Sequence, residues 1–186
     1  MYKEPLQPGN FYHIYNRGNN KENIFKEEKN YAYFLQLWKK YIVAVADTYC
    51  YTLLPNHFHF LLYTKENADA KILSQAFSNM FNAYTKTINK VYQRTGSLFQ
   101  ERFGRKKITD ESYYTTIIFY IHANPQKHGL TKDFTEYTHS SYQSLLSEKP
   151  TLLNRQKVFE WFGNKKGFVH LHLTNKNLSD NFPLNL

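Results

Sequence analysis

Two spacings alternate along this chain, and their exchange marks out its elements. Phe11-Tyr12-His13-Ile14-Tyr15-Asn16-Arg17 is rich in β-forming residues and ends at Gly18-Asn19-Asn20, which predicts a first strand followed by a loop. Tyr31, Phe34, Leu35, Trp38, Tyr41, Ile42 and Val45 then recur at three- and four-residue steps, as on an amphipathic helix with one buried face. Thr48 to Leu54 returns to β-type residues, Pro55-Asn56 makes a tight turn, and His57 to Tyr63 continues as the partner strand of a hairpin. Asn67 or Asp69 can cap a second helix, whose apolar stripe of Leu73, Ala76, Phe77, Met80, Phe81, Tyr84, Ile88 and Val91 lasts until about Gly96. Ser97 to Ile108 reads as a fourth extended segment, basic and broken at Gly104. Thr109 or Asp110 caps a third helix, expected to stop near Asn124 because Pro125 disfavours helical geometry in the residue before it. The order to residue 108 is therefore β-α-β-β-α-β. That order predicts an α+β, ferredoxin-like antiparallel sheet with two helices on one face and the other face free for ligand.

After Pro125 the pattern weakens. Asn154 to Phe162 predicts one short helix, anchored by Val158, Phe159, Trp161 and Phe162 and ended by Gly163. The last two dozen residues are rich in Asn and Lys, lack a clear period and read as a mobile arm. With no internal repeat, long linker or low-complexity tract, the expected division is one domain over residues 1–146 and a C-terminal extension over residues 147–186.

Composition narrows the class of partner. The chain has 186 residues, 41% apolar and 21% charged, as expected of a globular domain that folds alone. Its bias lies in 18% aromatic residues and in Lys plus Arg exceeding Asp plus Glu by 24 to 15, a formal charge of +9. Cationic and aromatic together suit a polyanion with stackable rings, which is nucleic acid, preferably unpaired. A membrane-surface role fits less well, since no basic amphipathic helix stands out and no apolar run approaches the roughly 20 residues of a span. Cys50 is the only cysteine, which excludes an internal disulfide and a Cys-based zinc site. The Met1-Tyr2-Lys3-Glu4-Pro5 start lacks the apolar core of a signal peptide, so a cytoplasmic protein is expected.

Candidate chemistry begins at Leu54-Pro55-Asn56-His57-Phe58-His59-Phe60. In a strand His57 and His59 point the same way while Phe58 and Phe60 point into the core. Two imidazoles are half of a site for a divalent cation and require a third ligand from elsewhere. A His-x-His triplet is cheap, and the chain holds another at His170-Leu171-His172, where no supporting partner is evident. In the third helix, Tyr120-Ile121-His122-Ala123-Asn124 stacks a phenol and a carboxamide one turn apart. If that helix lies beside the hairpin, Asn124 supplies the missing oxygen ligand and Tyr120 a nucleophile. Without the histidine pair, Tyr120 would be one of 16 tyrosines and Asn124 an ordinary helix stop before proline. His122 falls off the Tyr120 face and reads as a packing or surface residue. Tyr113 and Tyr114 open the helix and are less well placed beside any amide. Arg102, Arg105, Lys106 and Lys107 lead into this helix, where a phosphodiester would be held, and Arg17, Lys21 and Lys26 can line the same groove. Tyr12, Tyr15 and Tyr51 are candidate stacking platforms.

These residues resemble a known family. Pro55-Asn56-His57-Phe58-His59 is similar to the His-hydrophobic-His (HUH) motif of single-tyrosine transposases. Tyr120-Ile121-His122-Ala123-Asn124-Pro125 with Gly129-Leu130 is similar to the signature of their REP-associated tyrosine transposase branch. The likeness extends to His13-Ile14-Tyr15-Asn16-Arg17-Gly18, to Gly96-Ser97-Leu98-Phe99-Gln100-Glu101-Arg102-Phe103 and, weakly, to Ser140-Ser141-Tyr142, covering roughly residues 10 to 146. The resemblance implies Mg²⁺ or Mn²⁺ held by His57, His59 and Asn124, and Tyr120 as nucleophile. It also implies cleavage and rejoining of hairpin-bearing single-stranded DNA through a 5′-phosphotyrosine intermediate, in a bacterial, nucleoid-associated setting. Monomer and dimer both stay open. Two other readings compete: a non-catalytic module stacking single-stranded nucleic acid on a ferredoxin-like sheet, and a metal hydrolase that forms no adduct.

Overall fold

The structure is a computed structural model that describes residues 5–176. Its strands are β1 (Phe11–Arg17), β2 (Ala46–Leu54), β3 (His57–Thr64) and β4 (Gly104–Ile108). Its helices are α1 (Glu28–Tyr41), α2 (Ala70–Val91), α3 (Tyr114–Lys127), α4 (Tyr142–Leu146), α5 (Arg155–Trp161) and α6 (Lys165–Thr174). The sheet runs β2-β3-β1-β4 with every neighbouring pair antiparallel, the expected α+β, ferredoxin-like arrangement.

Alternation along the central strands builds two cores. On one face Tyr12 and Ile14 of β1 and Phe58, Phe60 and Leu62 of β3 pack against Phe34, Leu37 and Trp38 of α1 and Leu73, Phe77, Met80 and Tyr84 of α2. The Trp38 and Phe60 rings stack with centroids 3.6 Å apart, and the Trp38 indole donates to Thr48 Oγ1 at 2.9 Å. Asp69 caps α2 by accepting from the amides of Lys71 and Ile72. On the other face Leu61 and Ile108 meet the buried side of α3.

That second face is not free, contrary to the expectation from sequence. Ile117, Ile118, Phe119, Tyr120 and Ile121 make α3 apolar all round, so it requires cover on both sides. The sheet supplies one side, and Tyr142, Leu145, Val158 and Phe168 from α4, α5 and α6 supply the other. The C-terminal arm is likewise corrected where it is described: Lys165–Thr174 is helical, capped by Asn164, which accepts from the Gly167 amide. Residues 177–186 of the expected arm lie outside the described residues. The fourth extended segment shrinks to Gly104–Ile108, with Phe99 joined to Gly18 by an isolated bridge.

Pro125 does not end α3. The helix runs on to Lys127 because the missing amide falls in its last turn, where it removes a single backbone bond. The His128 amide then donates to Asn124 O at 3.0 Å and the Leu130 amide to Pro125 O at 2.9 Å. The restriction on the residue before proline is a bias, and here the buried packing of Asn124 overrides it.

Candidate metal and nucleophile site

The second face of the sheet gathers the polar residues. His57 stands opposite Arg17 and His59 opposite Tyr15, all on the side that α3 covers. His57 and His59 are both buried, with ring centroids 5.2 Å apart and planes at 88°. Tyr120 meets His59 edge-on, with ring centroids 5.9 Å apart and planes at 82°. Asn124, one turn further along α3, donates its Nδ2 to Tyr120 O at 3.5 Å. The condition on which the sequence reading depended is met in space: α3 lies beside the β2–β3 hairpin and brings Tyr120 and Asn124 to the side of the sheet that bears His57 and His59.

Each histidine commits Nδ1 to a partner. His57 Nδ1 is 2.6 Å from Asn56 Oδ1, an atom that can only accept, so the hydrogen sits on Nδ1 and the Nε2 lone pair is available. His59 Nδ1 is 2.9 Å from Nε2 of the wholly buried His13. Burial lowers His57 to about 4, helped by His128 and Arg17 and opposed by the Asn124 amide. Burial also holds His59 well below its ordinary value, with His13, His57, His128 and Arg17 adding to it. Both rings are therefore neutral near pH 7, the state in which imidazole can ligate.

The donor set fits a divalent cation on one further observation. Asn124 Oδ1 is buried and receives no well-formed hydrogen bond, although buried polar atoms are ordinarily satisfied. Among the described residues no three His, Cys, Asp or Glu side chains are grouped so as to hold a metal, so a third protein donor beside the two histidines would have to be another kind of group, such as this amide. The Tyr120 phenol is raised by burial, opposed by Asn124 and reinforced by Tyr15. It carries its proton at neutral pH and needs a polarising neighbour to act as nucleophile.

The extension of α3 past Pro125 brings two residues that sequence reasoning missed. The Lys127 ammonium lies 5.5 Å from the centroid of the Tyr120 ring, and the exposed His128 ring lies 4.7 Å from that of His57. The i+7 spacing of Lys127 from Tyr120 was a usable signal, hidden by ending the helix at Asn124. Tyr15, expected from sequence as a stacking platform, stands at the site itself: its ring lies over Gly104, where a Cβ would come within 2.2 Å of it, and 5.9 Å from the ring of His59.

The basic residues are divided by strand alternation. Arg17 joins the site, close enough to His57, His59 and His128 to depress all three. Lys106, opposite His13, falls on the same face of the sheet and adds to the lowering of His13 that burial mainly causes. Arg105 and Lys107, opposite Ile14 and Tyr12, fall on the other face, and Arg105 lies 5.0 Å over the Phe103 ring. Arg102 lines a separate groove of ≈ 800 Å³ together with Asn16, Asn82, Phe99, Gln100 and Phe103. Lys21 is exposed and Lys26 lies over the Tyr92 ring. Of the expected stacking platforms, Tyr12 is buried and Tyr51 packs into the first core, so neither is presented to a ligand. The second His-x-His is on a helix, where a spacing of two sends His170 to solvent and His172 into the core.

No protein-family model matches the chain. A Haemophilus influenzae protein, whose assignment as a REP-associated tyrosine transposase is itself provisional, is 28% identical over 103 residues, 52% of this chain. The match spans 58% of that relative's length. A solved structure of a REP-associated tyrosine transposase bound to a REP hairpin superposes with a TM-score of 0.60 at 18% identity, covering 81% of this chain and 87% of that one. The chain shares the fold of a REP-associated tyrosine transposase. The resemblance read from the motifs is thereby borne out at the level of sequence relationship and architecture. Among the described residues no helix is long and apolar enough to cross a membrane.

Proposed function

We propose that this chain is a transposase-type enzyme that cleaves and rejoins hairpin-bearing single-stranded DNA through Tyr120. The observation that carries the reading is that Tyr120 meets His59 edge-on while Asn124, one turn along the same helix, interacts with His57 and keeps a buried Oδ1 with no well-formed hydrogen bond among the described residues. His57 Nε2, His59 Nε2 and Asn124 Oδ1 would hold Mg²⁺ or Mn²⁺. When bound, such an ion withdraws charge from the non-bridging oxygens of a phosphodiester and makes its phosphorus more electrophilic.

The protein's own groups do the rest. Arg17, at the end of β1, meets the anionic backbone beside the histidines, and α3 fixes the Tyr120 oxygen against the same point. The bond formed joins the Tyr120 oxygen to phosphorus. The bond broken joins phosphorus to the 3′-oxygen of the preceding nucleotide. In balance the proton lost by the phenol is the one acquired by that 3′-oxygen, which leaves a free 3′-hydroxyl and a 5′-phosphotyrosine. Attack by a 3′-hydroxyl on the phosphotyrosine reverses these steps and joins strands without an external energy source. Lys127, held over the ring, favours the phenolate character that develops during attack. Single-stranded DNA carrying hairpins is the proposed partner, in keeping with the REP hairpin named for the structural neighbour.

The test is a denaturing gel of protein incubated with hairpin DNA and Mn²⁺. Wild type should give a covalent adduct, and Tyr120→Phe should bind the hairpin with no adduct. An undiminished adduct in Tyr120→Phe would assign the nucleophile elsewhere. Products without adduct would favour the metal hydrolase, and salt-sensitive binding without products the stacking module.

A further inference from the structure

His13 is the residue that this chemistry has not used and that packing does not require. It lies in the middle of β1, wholly buried, with apolar neighbours at Tyr12 and Ile14. Its Nε2 approaches His59 Nδ1 at 2.9 Å, and its Nδ1 is buried with no hydrogen-bond partner among the described residues. A leucine would fill this position without burying two nitrogens, one of them unsatisfied. A costly polar group retained beside a candidate site calls for a reason tied to that site.

The His57 side suggests the reason. There Asn56 accepts from Nδ1–H and so frees Nε2. His59 can present Nε2 in the same way only if its hydrogen sits on Nδ1, and His13 Nε2 is the atom within reach to accept it. The two rings lie 5.1 Å apart with planes at 21°, and the Tyr15 ring, 5.0 Å from that of His13, closes the adjacent side. We infer that His13 is a positioning residue, which accepts the His59 Nδ1 hydrogen and thereby fixes the orientation and tautomer in which His59 presents Nε2 to a divalent cation. The inference rests on the metal reading proposed above. Outer hydrogen-bond partners of ligating histidines are commonly carboxylates, backbone carbonyls or water, and their loss weakens metal binding 10- to 100-fold. Here a neutral imidazole fills that part.

The experiment is Mn²⁺ titration by calorimetry on the full chain without DNA, with thermal unfolding measured alongside. His13→Leu should be at least as stable as wild type yet bind Mn²⁺ about 10- to 100-fold more weakly. His13→Gln, whose Oε1 can accept from His59, should recover most of the affinity. Mn²⁺ affinity within twofold of wild type in His13→Leu would overturn the inference, as would a His13→Gln no tighter than His13→Leu. A wild-type chain that takes up no Mn²⁺ would remove the metal reading itself, and this inference with it. Unchanged affinity in His13→Leu, with wild type still binding, removes this inference alone.

Discussion

His122 Nδ1 and His172 Nε2 lie 2.9 Å apart inside the second core, and the atoms around them fix where every proton sits. Phe168 O can only accept, so His172 Nδ1, at 2.8 Å, carries a hydrogen and its Nε2 receives one from His122 Nδ1. His122 Nε2 then accepts from Ser141 Oγ at 2.8 Å, and Ser141 Oγ in turn accepts from the Tyr51 amide at 2.8 Å. The chain ties β2, the start of α4, α3 and α6 together two residues before Asn124. Both rings must be neutral for it to close.

Acid should therefore loosen the protein in a defined window. Burial lowers His172 to about 4, while in the unfolded chain it titrates near 6.5. Between those values the unfolded state binds more protons, so stability is full above about 6.5, falls as pH drops, and loses no more from this group below about 4. At about 1.4 kcal/mol per unit, His172 alone accounts for roughly 3 kcal/mol, and His122, lowered by burial and by His172, acts in the same direction. Urea unfolding at pH 7, 6, 5 and 4 measures this. A free energy that stays flat from pH 7 to 5 would contradict the proton arrangement.

Gly104→Ala should disturb the site from the edge of the sheet. The new Cβ would meet the Tyr15 ring at 2.2 Å, and that ring stands 5.0 Å from His13 and 5.9 Å from His59. Overpacking of this kind costs typically 1–3 kcal/mol. Expected are a lower unfolding temperature and a reduced adduct yield. Restoration of both by Gly104→Ala combined with Tyr15→Ala would assign the effect to the displaced ring.

The sheet, α1, α2 and the pairing of Tyr120 with Asn124 were legible because each rests on a local period or a short spacing. Phe58 and Phe60 alternate with His57 and His59 over consecutive positions, and nothing distant alters that. What escaped was nonlocal. His172 looked idle because its partner is 50 residues away in α3. The cover over the second face was missed because α3, apolar on all sides, shows no stripe to say how many surfaces it must meet. Lys127 was lost to a local rule about proline that tertiary packing overrides. His13 was visible as part of a motif, but its contact with His59 depends on the β1–β3 register, which no local pattern states.

Arg17 and Arg102 should fail differently. Arg17 stands among the histidines, whereas Arg102 lines a groove with Asn82, Gln100 and Phe103. Arg17→Ala should lower the single-turnover rate of adduct formation with hairpin affinity changed little. Arg102→Ala should weaken hairpin binding, reduce the salt slope by about one contact and leave the single-turnover rate at saturating DNA near wild type. Filter binding across a salt series, paired with single-turnover kinetics, separates the two. Identical profiles for both variants would mean that the groove and the site hold the same phosphates.

Lys127 tests whether the turn of α3 beyond Pro125 matters. Its ammonium is held 5.5 Å from the Tyr120 centroid, and Tyr120 is already raised by burial, so the phenolate that develops during attack gains from a nearby cation more than the ground-state phenol does. A cation–π contact of this kind contributes about 0.5–2 kcal/mol, which corresponds to a rate change of a few-fold to about 30-fold. Lys127→Met should slow adduct formation by that range with metal affinity and hairpin affinity held, and Lys127→Arg should recover most of the rate. An unaltered rate in Lys127→Met would mean that the cation only covers the ring, and the charge assisting Tyr120 would then fall to Arg17.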